Sequence, residues 1–246
     1  MANRLAHIRR LYGRQEYLTP GAAETVQRII DVTQPGPGTA LLDVACGKLE
    51  AACMIAQAGC RVVGVDLYPL FFQGMPAKVE ARGAQGLVAI VQADGKRLPV
   101  RSGAFDAAYC IGAPSIVGLE ACLRELARAT RPGGAVVVSD VVWRTKPGAL
   151  GPEWRWLASM AQLSKDEYAS AIANAGLTGC EATVFPPEAW EAYHAPMLQV
   201  ASEARATGRA DDVAFAGQVE SDTSMERRAV DAFIDYAMFV ARKHAS

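Results

Sequence analysis

The stretch LLDVACG, Leu41 to Gly47, decides the fold, because an apolar strand ends there in a turn that opens a helix. The strand is predicted over Ala40–Ala45 and the helix over Glu50–Ala58. A glycine in such a turn lets the backbone approach a ligand, and the unpaired N–H groups of the helix start face that ligand. An ordinary tight turn between a strand and a helix has the same residues. Taken alone, this stretch leaves both interpretations open.

Short apolar runs and helical patterns alternate along the rest of the chain. Both sheet faces are expected to be buried, since the strands are apolar throughout. The pattern predicts an α/β protein with a doubly wound, mostly parallel seven-stranded sheet and helices on both faces. Further strands are predicted at Arg61–Asp66, Leu87–Gln92, Phe105–Ile111, Ala135–Asp140, Leu177–Phe185 and Ala237–Lys243, and helices at Phe71–Ala81, Ile116–Thr130, from the Ser164 cap to Ala175, Pro187–Gly208 and Asp211–Asp235.

Two stretches fit more than one interpretation. The tail Ala237–Lys243 fits a last strand or the end of a helix, and we predict a strand. Trp143–Leu163, which contains two prolines and two glycines, is predicted to be a loop.

Composition narrows the class of protein and its partners. The chain has 246 residues, a length that fits one α/β domain with an insertion. Charges of both signs are spread along the chain, with a formal net charge of −1, so a nucleic-acid partner is not favoured. No segment resembles a signal peptide or a membrane span. The six cysteines contain no CxxC pair and are typical of buried thiols in a reducing compartment. We expect a cytoplasmic protein with a small-molecule ligand, and its oligomeric state stays open.

Two further signals follow the second and third strands. Asp66 ends the second strand, where an acidic side chain accepts hydrogen bonds from both hydroxyls of a ribose. Asp94 and Gly95 follow the third strand, where they can pair with an adenine edge. Asp66 is also compatible with helix capping, and Asp94-Gly95 with an ordinary turn. The ribose interpretation is preferred because Asp66 accompanies the turn at Gly47.

As an ordered set, these motifs resemble those of the class I S-adenosylmethionine (SAM)-dependent methyltransferases, particularly the ubiquinone and menaquinone biosynthesis enzymes. LLDVACG is similar to the family motif VLDxGxGxG, VDLYP to its ribose-binding strand end, ADGKRLP to its adenine-contacting turn and ATRPGG to the turn before the fifth strand. The resemblance covers roughly 40–142. It implies a single Rossmann-like methyltransferase domain over 1–246, with an N-terminal helical cap at 1–34, a SAM-binding core at 35–185, a helical insertion at 186–236 and a last strand at 237–243.

The resemblance also implies roles for individual residues. Three parts of SAM would be bound separately, and the product would be S-adenosylhomocysteine. Asp43, Ala45 and Gly47 would surround the methionine part, and Cys110 and Ile111 would line its pocket. Asp66 and Leu67 would hold the ribose and flank the adenine. Asp94 and Gly95 would form hydrogen bonds with the adenine edge.

The motif departs from the family pattern at two glycines. Ala45 replaces the first, and Leu49 replaces the third in CGKLE. Leu49 is expected either to crowd the cofactor or to shift the helix. It is the main support for one alternative, a catalytically silent ligand- or partner-binding module. A second alternative is an NAD-dependent oxidoreductase, but ACGKLE holds only one of the three glycines of its G-x-G-x-x-G fingerprint.

The acceptor is expected at the carboxyl ends of the strands, under a lid of aromatic side chains. The candidates are Tyr17, Trp143, Trp154 and Tyr193, although each is also typical of simple packing. His194 is the candidate base, four residues after Trp190 in a helix that Pro196 is expected to end. A surface histidine beside a packed tryptophan is the preferred alternative. No metal site is predicted, because the three histidines lack metal-like spacing.

Overall fold

The computed structural model describes residues 10–13, 15–68 and 74–245, apart from the side chain of residue 159. Three predicted features lie outside the described residues. They are the start, at residues 71–73, of the helix predicted over Phe71–Ala81, His7, and the first nine residues of the predicted cap.

A seven-stranded mixed sheet forms the centre of the protein, in the order β3-β2-β1-β4-β5-β7-β6. Its strands are β1 (Ala40–Val44), β2 (Arg61–Asp66), β3 (Val88–Gln92), β4 (Phe105–Ile111), β5 (Thr130–Trp143), β6 (Leu177–Val184) and β7 (Ile234–Lys243). The first five run parallel, and β7 runs antiparallel to both of its neighbours. The chain leaves β1 toward β2 on one side and later returns to β4 on the other. This topological switch point places a ligand crevice at the carboxyl ends of β1 and β4.

Helices cover both faces of the sheet, and each face has its own apolar cluster of buried side chains. The helices are α1 (Ala22–Thr33), α2 (Glu50–Ala56), α3 (Met75–Ala81), α4 (Pro114–Val117), α5 (Leu119–Ala129), α6 (Leu157–Met160), α7 (Lys165–Asn174), α8 (Pro187–Ala206) and α9 (Ala210–Ala232), with a 3₁₀ turn at Pro152–Trp154. The predicted capping box of Ser164 and Glu167 is present at the start of α7. None of the helices in the described ranges is long and apolar enough to cross a membrane.

A helical cap with its own core lies beside this sheet. The long helices α8 and α9 pack together around Met197, Ala201, Phe215 and Val219, and Leu11 of the N-terminal segment joins the same core. Arg10 forms a 2.7 Å ion pair with Asp212 of α9, and its guanidinium lies 4.0 Å from the centre of the Phe215 ring. The N-terminal segment and the insertion therefore form one cap.

Several predicted boundaries are wrong. The helix through His194 runs to Ala206, close to the predicted limit at Gly208, so only the expected end at Pro196 is wrong. Residues beyond the proline are held by packing against α9. The last strand begins at Ile234 rather than Ala237. β5 extends from Thr130 to Trp143, so Trp143 belongs to the sheet and the predicted RPGG turn lies inside the strand. Gly118 divides the predicted helix over 116–130 into α4 and α5.

Candidate cofactor and acceptor site

The loop after β1 contains three residues with left-handed backbone conformation. Ala45, Gly47 and Leu49 have φ values of 58°, 49° and 62°. These are the three glycine positions of the motif that the sequence resembles. Left-handed backbone costs an L-residue roughly 1–2 kcal/mol. The loop thus keeps the conformation of a glycine loop although two of its glycines are replaced.

The side chain of Leu49 is fully buried in the core beneath β2. A methyl group added to Gly64 of β2 would lie 2.7 Å from Cδ2 of Leu49, so the absence of a side chain at Gly64 makes room for Leu49. Leu49 does not line the crevice beside the loop. It therefore neither crowds a cofactor in that crevice nor displaces the loop.

Asp66 joins the ends of β1 and β2. One carboxylate oxygen accepts a hydrogen bond from the N–H of Gly47 at 2.9 Å, and the other accepts from the N–H of Tyr68 at 2.9 Å. A carboxylate accepts about four hydrogen bonds, so both oxygens retain capacity for further donors. Asp66 can fix the loop and still bind two hydroxyl groups.

The neighbouring surface has the shape and chemistry for a flat ring. Leu67 and Tyr68 are 48% and 54% exposed, which is unusual for large apolar side chains. The strand ends are tied together, because the N–H of Ala93 donates to the carbonyl of Asp66 at 3.1 Å. A methyl group added to Gly95 would lie 3.0 Å from both Val44 and Val117, so a side chain at this position would press against both valines. Leu67, Asp94 and Gly95 thus follow two adjacent strand ends at one edge, as expected.

The short helix α4, which carries Val117, is held by Asp140 near the carboxyl end of β5. The carboxylate accepts hydrogen bonds from the N–H of Ser115 at 2.8 Å and from its hydroxyl at 3.0 Å. Burial raises the pKa of Asp140 to about 6. Asp140 and Ser115 were not singled out in the sequence, since their partnership depends on the adjacent positions of β4 and β5.

The crevice at the switch point is lined by the loop after β1, by Ile111 of β4 and by the segment from Glu16 to Ala22. Two polar atoms of its lining residues are buried without a hydrogen-bond partner in the described part of the chain, Oδ2 of Asp43 and Oγ1 of Thr19. Burial raises the pKa of Asp43 well above its usual value, the neighbouring hydroxyl of Tyr109 partly offsets this, and the nearby Asp66 raises the pKa further. A buried carboxylate with an unpartnered oxygen is a strong site for a cation.

Residues of β4 divide between the two faces of the sheet. Ile111 lines the crevice with Asp43, whereas the side chain of Cys110 packs on the opposite face with Leu42 and Val44. Alternate residues of a strand point to opposite faces, so the two neighbours cannot both direct their side chains into the crevice.

Lys48 connects the loop to the N-terminal segment. Its ammonium donates to the carbonyl oxygens of Tyr12, Gly13 and Gln15 at 3.0, 3.1 and 2.5 Å. Burial lowers the pKa of Lys48, and the nearby Lys78 lowers it further. This residue was missed in the sequence, where it is one more polar residue in CGKLE.

We expect Lys48→Met to release residues 12–17 from the loop, because three charge-assisted hydrogen bonds are lost. Amide hydrogen exchange in this segment should accelerate by about tenfold or more, because the loss of even one bond to a charged group costs about 1.5–3 kcal/mol. Lys165→Met is the matched control, since Lys165 is exposed at the start of α7. Unchanged exchange in both variants would show that Lys48 does not hold the segment.

The predicted lid aromatics occupy different environments. Trp143 is buried at the end of β5, and Trp154 packs edge-on against Phe233 at 5.4 Å between ring centres. Tyr17 lines the crevice and its hydroxyl contacts the sulfur of Met54. Tyr193 belongs to the cap, where its hydroxyl lies 3.2 Å from that of Tyr12. Of the four, only Tyr17 lies directly in the crevice.

His194 is fully buried, so the preferred interpretation of a surface histidine is wrong. Its Nε2 lies 2.9 Å from a carboxylate oxygen of Glu226 on α9. The ring centre of Trp190 lies 5.9 Å away, as the four-residue spacing predicts. Within the described ranges, no group of three or more histidine, cysteine or acidic residues is arranged to hold a metal ion.

Comparison with known proteins supports the assignment of this fold. Residues 42–138 match the family model described as a methyltransferase domain. A solved SAM-dependent methyltransferase from Geobacter sulfurreducens, in complex with S-adenosyl-L-homocysteine, superposes with a TM-score of 0.81 at 20% identity, over 97% of this chain and 98% of that one. The [4+2]-cyclase SpnF superposes with a TM-score of 0.74 at 22% identity, over 91% and 81%.

The fold is that of the class I SAM-dependent methyltransferases, and residues 42–138 are similar to a methyltransferase domain. A demethylmenaquinone methyltransferase of Mycobacterium marinum is 38% identical over 106 residues, which is 43% of this chain and 42% of the relative. The chain spans less than half the length of this curated relative.

Proposed function

We propose that the protein transfers a methyl group from SAM to a small-molecule acceptor. The observation that carries the proposal is the unpartnered carboxylate oxygen of Asp43, buried in a crevice beside a loop with glycine-type backbone. SAM fits this crevice chemically, because the α-ammonium group of SAM would supply the cation that Asp43 lacks. Asp66 retains acceptor capacity for two ribose hydroxyls, and Leu67, Asp94 and Gly95 offer an adenine site beside it.

In this proposal the residues of the chain bind SAM and orient the acceptor. Asp43, Ala45, Gly47 and Ile111 surround the methionine part, while Cys110 contributes backbone only, since its side chain faces away. When bound, SAM supplies a methyl group that its sulfonium already activates, so the main task of the protein is to align the acceptor and exclude water. The core at 35–185 binds the cofactor, with α1 packed against its sheet, and the cap formed by residues 10–13 together with α8 and α9 covers the acceptor.

The acceptor is proposed to be a small, partly apolar molecule. Aromatic side chains lie between the cap and the carboxyl edge of the sheet, including the contact of Trp190 with Tyr236 at 5.8 Å. Mycobacterial relatives are demethylmenaquinone methyltransferases, which supports a planar acceptor. Such side chains provide broad apolar contact with few polar groups, as is typical of small-molecule sites.

The catalytically silent module loses its main support, because Leu49 faces the core rather than the crevice. The similarity to a [4+2]-cyclase shows that this fold alone does not determine the reaction. Binding and turnover must therefore be measured separately. An NAD-dependent oxidoreductase is not favoured, since Ala45 and Glu50 occupy two of the three glycine positions of its G-x-G-x-x-G fingerprint in ACGKLE.

Isothermal titration is expected to show binding of both SAM and S-adenosylhomocysteine. Asp66→Asn should weaken both by roughly tenfold to a hundredfold, because the amide loses an acceptor for ribose and for one backbone N–H. Asp106→Asn is the matched control, since Asp106 pairs with Arg131 at the far end of the sheet. Mass spectrometry of reactions with labelled SAM and a metabolite mixture would then identify the acceptor. Binding of NAD without binding of SAM would contradict the proposal.

A further inference from the structure

His194 and Glu226 form a buried pair that the cofactor site does not use. Nε2 of His194 contacts the carboxylate of Glu226 at 2.9 Å, whereas Nδ1 is buried without a partner among the described residues. A carboxylate accepts hydrogen bonds only, so Nε2 of His194 is the donor of this contact, and the tautomer of a neutral ring is the one with its proton on Nε2. Nδ1 is then an unprotonated acceptor. Leaving such an atom unpaired costs about 1–3 kcal/mol, which calls for an explanation beyond packing.

A second unpaired acceptor lies in the same region. The side chain of Gln15 donates through its amide nitrogen to the carbonyl of Tyr193 at 3.0 Å, and its Oε1 is buried without a partner among the described residues. The hydroxyls of Tyr12 and Tyr193 contact each other beside it. The ring centres of Tyr193 and His194 are 5.4 Å apart. Two unpaired acceptors and two hydroxyls therefore surround the aromatic rings of the cap.

We call these two acceptors and two hydroxyls the polar group of the cap. The polar group adjoins the cofactor crevice. Lys48, which lines the crevice, contacts the carbonyls of both Tyr12 and Gln15. Gln15 also directly precedes Glu16, the first of the crevice-lining residues of the N-terminal segment. An extended chain advances about 3.3 Å per residue, so the polar group lies within a small molecule's length of the crevice.

From this geometry we infer that His194 is the general base for an aromatic acceptor that carries a hydroxyl group, held between Trp190, Tyr193 and the cofactor crevice. The inference rests on the proposed function and deepens it, since it names the class of acceptor. Two buried acceptor atoms match a donor on the substrate, and the surrounding rings match its aromatic face. Glu226 is a positioning residue, because it acts only through His194.

The proton transfer balances in atoms and charge. As the acceptor oxygen forms its bond to the methyl carbon, the bond from that carbon to the sulfonium sulfur would break and leave its electron pair on sulfur, giving S-adenosylhomocysteine. The O–H bond of the acceptor breaks as well, and the oxygen keeps that electron pair. The proton moves to Nδ1 of His194, which becomes an imidazolium ion. The carboxylate of Glu226 stabilises that positive charge through Nε2. The proton then passes from His194 to water.

Nitrogen NMR of the histidine rings tests this arrangement without a known substrate. The chain contains only three histidines, so the spectrum of protein with ¹⁵N-labelled histidine is simple to assign. In the complex with S-adenosylhomocysteine, His194 is expected as the neutral form protonated on Nε2. Phenol should then shift the Nδ1 resonance toward that of a hydrogen-bonded nitrogen. Toluene has nearly the same shape without the hydroxyl, and should bind about tenfold more weakly without that shift.

His194→Phe provides the matched variant, because it keeps an aromatic ring and removes the acceptor nitrogen. It should bind S-adenosylhomocysteine as the wild type does, while the preference for phenol over toluene falls, because Oε1 of Gln15 is then the remaining acceptor. A proton on Nδ1, or equal responses to phenol and toluene in the wild type, would overturn the inference. Failure of the wild type to bind S-adenosylhomocysteine would instead contradict the proposed function. The wild-type spectra decide the question even if the variant does not fold.

Discussion

Leu49→Gly is expected to lower the free energy of unfolding by about 2–4 kcal/mol, even though it restores the family's usual glycine. The leucine side chain is fully buried against β2, and deleting such a side chain typically costs about 3–5 kcal/mol. Relief of the left-handed backbone at this position returns only about 1 kcal/mol. Urea unfolding monitored by circular dichroism would measure the difference. SAM affinity should not increase, because Leu49 lies outside the crevice.

Two further variants separate packing from backbone strain. Leu49→Ala removes most of the side chain but keeps a Cβ in the left-handed conformation, so it should be about 1 kcal/mol less stable than Leu49→Gly. Gly64→Ala should destabilise the wild type, since its methyl group would lie 2.7 Å from Leu49. The same change should cost much less in the Leu49→Ala background, because the space is then free. A Leu49→Gly protein of wild-type stability and tighter SAM binding would show that Leu49 obstructs the cofactor.

The parallel half of the sheet could be predicted because its strands are encoded locally. β2 and β4 have the predicted limits, Arg61–Asp66 and Phe105–Ile111, since each is a continuous apolar run between breakers. The extension of β5 to Trp143 could not be predicted in this way. It depends on pairing with β7, in which Trp143 is opposite Ile234, a partner far away in the sequence.

The loop after β1 could be predicted because a short motif specifies it, whereas the polar group of the cap could not. Residues from Asp43 to Gly47 lie together in sequence and in space. The cap site instead joins Gln15, His194 and Glu226 from three separate elements. Nothing in the local pattern of PEAWEAYH indicates that His194 is buried, because its burial depends on α9 and the N-terminal segment.

Asp43→Asn is expected to weaken SAM binding by about tenfold to a hundredfold, as for loss of a hydrogen bond to a charged group. The buried carboxylate has a pKa well above its usual value, so without ligand it holds its proton at a higher pH than an exposed aspartate. A cation beside it favours the ionised form and lowers that pKa. Binding of SAM should therefore release a proton from Asp43, and affinity should rise with pH until the raised pKa is passed. Affinity rises rather than falls with pH because the ligand-bound protein holds fewer protons than the free protein.

Titration calorimetry in two buffers of different ionisation enthalpy measures that proton release directly. Wild-type protein should show a heat of SAM binding that depends on the buffer, and Asp43→Asn should lose this dependence along with affinity. Asp66→Asn is the informative comparison, because it also weakens binding but leaves Asp43 in place, so its proton release should persist. Asparagine has almost the volume of aspartate, which keeps the packing against Tyr109. Equal proton release by the wild type and Asp43→Asn would mean that another group meets the ammonium of SAM, and Asp43 would then have only a structural role in the loop.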